Sequence, residues 1–314
     1  MKKKNKVSLI VVGALLALLV MGIFVYAHYN NQYPEFEDKD GNPSAIYPLN
    51  DGMLTIAPNI RMLFDTGSLI STITPEDLKK LKKLGMSVDS AAFPSLATNL
   101  KGEVYMADRR YTVSLPVWQM NWVPDSVGSH YESTGRIINT IKDVIFLPAS
   151  PGDPSRIGSD VVERFVMEYQ RTEQAIALYN EVPKGYEFFC DLNAPFSWVT
   201  FIGTGSRYYI TMEVQGYKNE YFINTAIDDI HLKLPVEDTV YVTSPLDKRA
   251  ISAGVDTISA LVADDVWVKI GDRAGSHSAV YGDDGRESYA INPLNYFAKD
   301  IVIDFQKRRL YQKY

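Results

Sequence analysis

Two short stretches carry the polar groups with the clearest chemical potential. Met62-Leu63-Phe64 is an apolar run ending in Asp65-Thr66-Gly67-Ser68, and Tyr221-Phe222-Ile223 is an apolar run ending in Asn224-Thr225-Ala226. A carboxyl at the end of an apolar strand is partly desolvated, which suits it to proton exchange. Hydrolysis of an amide bond without a metal or a covalent intermediate needs two such groups. One carboxylate activates water and one carboxylic acid protonates the leaving nitrogen. Held about 3 Å apart, the two share a proton, because like charges that close cannot both ionise, and they titrate as a pair. Asp65 is such an acid. Asn224 is an amide, which can hydrogen-bond but cannot act as a general acid or base near neutral pH.

Other chemistries find little support. The single cysteine, Cys190, can form no intrachain disulfide and has no companion for a thiolate metal site. His28, His130, His231 and His277 are scattered, without the spacing that puts two ligands on one helix face. No metal and no cofactor is therefore expected. Neither a Gly-x-Ser-x-Gly elbow nor a phosphate-cradling loop is present. Gly203-Thr204-Gly205-Ser206 lacks a preceding Asp and reads as a turn between strands. The net charge is -6, with no long basic run beyond the first residues, which argues against nucleic acid as a partner.

The elements that must position these residues are mostly strands. Short runs rich in Val, Ile, Tyr, Phe and Thr (residues 111–117, 208–214 and 266–270, for example) are broken by Gly, Pro, Asn and Asp. Short helices are expected over 75–84, opened by Pro75 with Glu76 and Asp77 at its positive end, and over 160–165. The chain also repeats itself. The Asp65 stretch leads through Ile70 and Ile73 to Pro75-Glu76-Asp77, and the Asn224 stretch through Ile230 and Leu232 to Pro235-Val236-Glu237-Asp238. Residues 104–108 are echoed by 260–264. Ile157-Gly158 and the segment to Tyr169 recur as Ile291-Asn292 and the segment to Phe305. Three blocks in the same order point to a tandem duplication.

These blocks resemble the retropepsin-like and pepsin-like aspartic peptidase superfamily, and the Ile157-Gly158 block its bacterial retropepsin-like group. The likeness covers roughly Met53 to the C-terminus, with lower fidelity in the second copy. It implies a mostly β fold of two pseudo-symmetric aspartic-peptidase-like lobes with a cleft between them. It further implies Asp65 as the catalytic acid/base, with Thr66 and Thr225 bracing the loops through hydrogen bonds between the halves. Gly67 would permit the close approach of the loops, and Ser68 would bond the outer oxygen of Asp65. Ile157 and Gly158 would form the supporting turn. The family covers its cleft with a β-hairpin flap, for which residues 104–122 are the candidate source; the turn-rich stretch 123–154 reads as an insertion over the cleft.

The second copy departs from the pattern. Asn224 stands for the second acid, Ala226 for Gly67, and Asn292 for Gly158. A shifted register would offer Asp228 or Asp229 as a substitute acid. Two readings follow: an endopeptidase acting through Asp65, alone or paired with a second chain, or a pseudopeptidase that binds extended peptides or a protein partner without cutting them. An extended ligand would pair its backbone with strand edges in either case. The oligomeric state is left open.

At the N-terminus, Lys2, Lys3, Lys4 and Lys6 precede an uncharged run over 7–27, about as long as a bilayer's hydrocarbon core is thick. Positive charge ahead of the run places the N-terminus inside and the rest extracytoplasmic. A cleaved signal peptide is the alternative. The expected organisation is a cytoplasmic tail (1–6), a transmembrane anchor (7–27), a spacer (28–49), a first lobe (50–180) and a second, degenerate lobe (181–314).

Overall fold

The computed structural model describes residues 16–17, 20–21, 43–100, 103–124, 129–194, 205–226, 231–242, 245–253, 256–282 and 289–314. Apart from Leu16, Ala17, Val20 and Met21, the expected tail, anchor and the spacer as far as residue 42 lie outside these. Among the described residues no helix is long and apolar enough to cross a membrane.

The first half contains β1 (Ala45–Asn50), β2 (Met53–Ala57), β3 (Ile60–Phe64), β4 (Thr72–Ile73), α1 (Pro75–Lys83), β5 (Val88–Thr98), β6 (Val104–Pro124), β7 (Ser129–Pro148), β8 (Arg156–Ile157), α2 (Ser159–Val162), β9 (Val166–Gln170) and β10 (Ala175–Tyr179). The second contains β11 (Tyr186–Asp191), β12 (Tyr209–Val214), β13 (Tyr217–Ile223), β14 (Leu232–Leu234), a 3-10 turn (Val236–Tyr241), β15 (Asp247–Ala253), β16 (Asp256–Ile270), β17 (Arg273–Tyr281), β18 (Ala290–Ile291), α3 (Pro293–Tyr296), β19 (Ile301–Asp304) and β20 (Arg309–Lys313).

The two halves use the same strand pairings. β3 runs parallel to β8 with Phe64 opposite Ile157, and β13 parallel to β18 with Ile223 opposite Ile291. β4 pairs antiparallel with β8 and parallel with β7; β14 does the same with β18 and β17. β9 and β19 then pair antiparallel with each other, so that β11-β20-β19-β9-β10-β1 forms a continuous run joining the halves. The architecture is mostly β, in two lobes related by this repeat.

Local chemistry accounts for the elements. β1 buries Ala45, Tyr47 and Leu49 in strict alternation, the period of a strand with one face on the core. Its start at Ala45 corrects the expected spacer, whose polar composition hid this alternation. α1 is capped by Thr74, whose hydroxyl accepts the Asp77 N–H, with Pro75 in its first turn and Lys80, Lys82 and Lys83 in its last. The stretch expected as a turn-rich insertion is instead dominated by β7, which pairs along β6. Its Gly and Pro fall largely at the ends of that strand. One core spans both halves, from Phe64, Phe146 and Phe165 to Tyr221, Ile223 and Phe305.

Candidate functional site

β3 delivers Asp65 from a fully buried Phe64, and the Asp65 N–H continues the pairing by donating to the Ile157 carbonyl at 3.0 Å. Its carboxylate is 7 % exposed as a residue. Oδ1 accepts the Ser68 N–H at 3.1 Å, and Oδ2 faces Nη1 of Arg156 at 3.4 Å. The Ser68 hydroxyl does not reach Asp65 as the resemblance implied. It donates to the Ile70 carbonyl at 2.8 Å, because the turn carries Ser68 past the acid and only its backbone amide points back.

Asn224 follows β13 in the same way, with its N–H on the Ile291 carbonyl at 3.0 Å. The two loops meet through a reciprocal exchange. The Thr66 N–H donates to Thr225 Oγ1 at 3.0 Å, and the Thr225 N–H donates to Thr66 Oγ1 at 3.2 Å. Each hydroxyl donates onward to the other strand's end: Thr225 to the Phe64 carbonyl at 2.9 Å, Thr66 to that of Ile223 at 3.4 Å. Threonine fits because a hydroxyl accepts and donates at once, which satisfies backbone groups that are out of reach of water. Gly67 is set by proximity: a Cβ there would lie 2.8 Å from Asn224 Cγ. Asn224 Oδ1 in turn accepts the Ala226 N–H at 2.9 Å, which keeps the amide folded onto its own loop.

The Ile157-Gly158 turn packs directly under the Asp65 loop. A Cβ on Gly158 would sit 2.7 Å from the Ser68 carbonyl oxygen. The Gly158 N–H donates to Ser71 Oγ, and Ser71 gives both its hydroxyl (2.7 Å) and its N–H (3.0 Å) to the Asp160 carboxylate. Burial pushes Asp160 up to about 7, against the opposing pull of the Ser71 hydrogen bonds. Burial also raises Glu163, which accepts the Ser206 N–H and the Tyr208 hydroxyl. The matching turn in the second half tolerates Asn292, whose side chain accepts the Leu294 N–H and caps α3.

The structure thus brings Asp65, Thr66, Gly67, Ser68, Ile157, Gly158, Asn224 and Thr225 into one cluster. Sequence reasoning missed Arg156, Asp160 and Glu163. Arg156 carries one signal, a cation immediately ahead of the apolar Ile157-Gly158 turn. Asp228 and Asp229, the possible substitute acids, lie outside the described residues. Gly205 and Ser206 of the expected turn are described; Gly205 donates to the Leu69 carbonyl at 2.6 Å. Among the described residues no carboxyl group bonds to Asp65, and no group of three or more His, Cys, Asp or Glu side chains is placed to hold a metal.

No family model matches the sequence, and no curated protein matches it. Solved structures do. Basic 7S globulin from soybean is similar at 10% identity and a TM-score of 0.48, over 86% of this chain and 96% of that one. The structure titled edgp is similar at 11% and 0.47, over 87% and 95%. Conglutin gamma, a basic 7S globulin from lupine seeds, is similar at 10% and 0.48, over 86% and 95%. Assignment to the retropepsin-like group is therefore corrected: no family model of that group matches the sequence. The motif residues drew that assignment because strand-turn-strand blocks of this kind specify a fold more than a lineage. What stands is the mostly β, two-lobed architecture with its repeated strand pairings.

Proposed function

We propose that the two-lobed part binds extended peptide or protein segments between its lobes without hydrolysing them. The observation that carries this reading is the pairing of Asp65. Its partner loop presents Asn224, and its second oxygen meets a guanidinium, so among the described residues no proton-sharing carboxyl is at hand. The Thr66–Thr225 exchange still holds the two loops together, as a binding site between the lobes would need. An Asp65-dependent hydrolase is the rival reading, supported by the intact Asp65-Thr66-Gly67-Ser68 loop. The lysine-led apolar run over 7–27 supports a membrane-tethered, extracytoplasmic setting for either. Its check is protease accessibility of the soluble part in intact and opened cells.

The test is an extended-peptide library incubated with the full chain from acid to neutral pH, read for cleavage and for binding, beside Asp65→Ala. Bound, intact peptides are the expected result. Cleavage that Asp65→Ala abolishes would replace this reading with the hydrolytic one.

A further inference from the structure

Away from the Asp65 loop, one arginine pins the first half to α3 of the second. Arg171, in the turn after β9, donates through Nη1 to the carbonyls of Leu294 (2.9 Å) and Phe297 (3.0 Å). Its N–H donates to Asp300 Oδ1 at 2.9 Å. Two histidines of the second half meet α3 as well. His277 of β17 stacks on Tyr296, with ring centroids 3.9 Å apart and planes 15° apart. His231, just ahead of β14, meets His277 edge-on at 5.8 Å, and its carbonyl accepts the Asn292 N–H at 3.1 Å. Both imidazoles are partly buried.

The fold does not call for imidazoles there. Thr72 and Lys233 hold matching places in the strand pairings, which makes Ile70 and Val144 the first-half counterparts of His231 and His277. An aliphatic contact is indifferent to pH, whereas imidazole changes charge in mild acid.

The surroundings suit neutral rings and penalise charged ones. His231 Nδ1 is buried without a hydrogen-bond partner. In a neutral ring that nitrogen can stand as a bare acceptor; protonation turns it into a buried donor with nothing to receive it. Arg171 is already a cation. Asp300 is taken up by the Arg171 N–H and by Lys313 Nζ at 2.6 Å. The Tyr296 hydroxyl and the Cys190 thiol of β11 are raised, chiefly by burial, and stay neutral in acid. Arg273 of β17 lies over Phe189, which packs edge-on against Phe297. A charged His277 would gain some cation–π attraction from Tyr296, yet it would stand in a row with two more cations, His231 and Arg171. Burial lowers both histidines, with Arg171 adding to this for His231 and His231 for His277, which falls to about 4.

We propose that His231 and His277 form an acid-operated release for the join between the halves: protonating them loosens α3 from the Arg171 turn. The folded state binds these protons more weakly than the unfolded chain does. The pin therefore holds above the ordinary histidine value of 6.5 and is lost as pH falls through about 4. This release does not depend on whether a peptide is bound.

The test is hydrogen exchange of the full chain, read amide by amide as protection relative to the intrinsic rate at each pH. Protection at the Arg171, Tyr296 and Phe297 amides should fall roughly tenfold or more between pH 7 and pH 4, while that at Val113 and Val144 in the first-lobe core holds. The double variant His231→Phe with His277→Phe should abolish the fall. If that variant does not fold, histidine ring shifts followed by NMR on the unaltered protein decide, since the loss of protection must share its midpoint with one of the rings. Protection that survives to pH 4, falls equally at Val113 and Val144, persists in falling in the double variant, or falls without either ring titrating overturns the proposal.

Discussion

The two loops at the centre of the molecule share a scaffold and differ in charge. Both end a buried strand, both place an N–H on the carbonyl of an Ile in a neighbouring parallel strand, and both contribute one Thr to the same exchange. Among the described residues, a carboxylate and a guanidinium meet only beneath the first. Asp65 faces Asn224 in the repeat, Arg156 corresponds to Ala290, and Asp160 to Leu294. Backbone groups buried between lobes must be satisfied in both halves, so the residues that satisfy them persist. Charged side chains are kept only where another charge or a hydrogen bond stabilises them.

This contrast can be broken experimentally, and the largest effect is expected at Arg156. Arg156→Met leaves Asp65 buried without its cation, which should cost about 3–5 kcal/mol. Adding Asp65→Asn should restore most of that, and denaturant midpoints of the two variants give the coupling. Ala290→Met, at the equivalent place in the second lobe, has no charge to strand and should show only the smaller cost of overpacking. Next comes the shared scaffold: Thr225→Val orphans the Thr66 N–H and the Phe64 carbonyl, for a loss of about 2–4 kcal/mol. Thr66→Val should cost a similar amount, and a large inequality between the two would show that the lobes do not share the exchange evenly.

A smaller effect separates the loop glycines. Gly67→Ala drives a Cβ to 2.8 Å from Asn224 Cγ and should destabilise by about 1–3 kcal/mol. Ala226→Gly, its counterpart, relieves no clash and should cost less than about 1 kcal/mol. Thermal melts of the pair are sufficient to tell.

The smallest effects are pH slopes of opposite sign in the two lobes. Asp160 is raised by burial, so the folded state holds its proton more tightly than the unfolded chain does. Its contribution is fully present at pH below its ordinary value of 3.8 and is lost as pH rises through about 7. In the second lobe His277 stacks on Tyr296 at 3.9 Å near His231, and burial, with the neighbouring His231 second, lowers it to about 4. Stability tied to His277 is present above its ordinary 6.5 and is lost as pH falls through about 4. Asp160→Asn should flatten the first slope and His277→Phe the second, each on the order of 1–2 kcal/mol across its window. Denaturation midpoints measured from pH 4 to 8 check both, and slopes unchanged by either variant would remove the basis for the contrast.

Much of this was legible in the chain itself. The duplication and the paired loops follow from local patterns: apolar runs of strand length, turn residues at their ends, and the same order of blocks twice; the bracing threonines and the close approach at Gly67 were implied by the resemblance those blocks carry. α1 was readable from Pro75 and its charged ends for the same reason. The polar-looking stretch before residue 50 hid β1, because three alternating apolar residues among prolines and asparagines make a weak signal until a partner strand is present.

Only the folded molecule determined what meets Asp65. Arg156 lies 91 residues away, and Thr66 and Thr225 are 159 apart. Short-range sequence fixes which segments become strands and turns, since backbone preferences and side-chain alternation act over a few residues. Which polar group lies against which acid depends on strand register between distant segments, and that register is selected by burying one shared core. The acid at position 65 and the amide of its counterpart loop were visible from their own motifs; that a guanidinium lies against the acid was settled by packing.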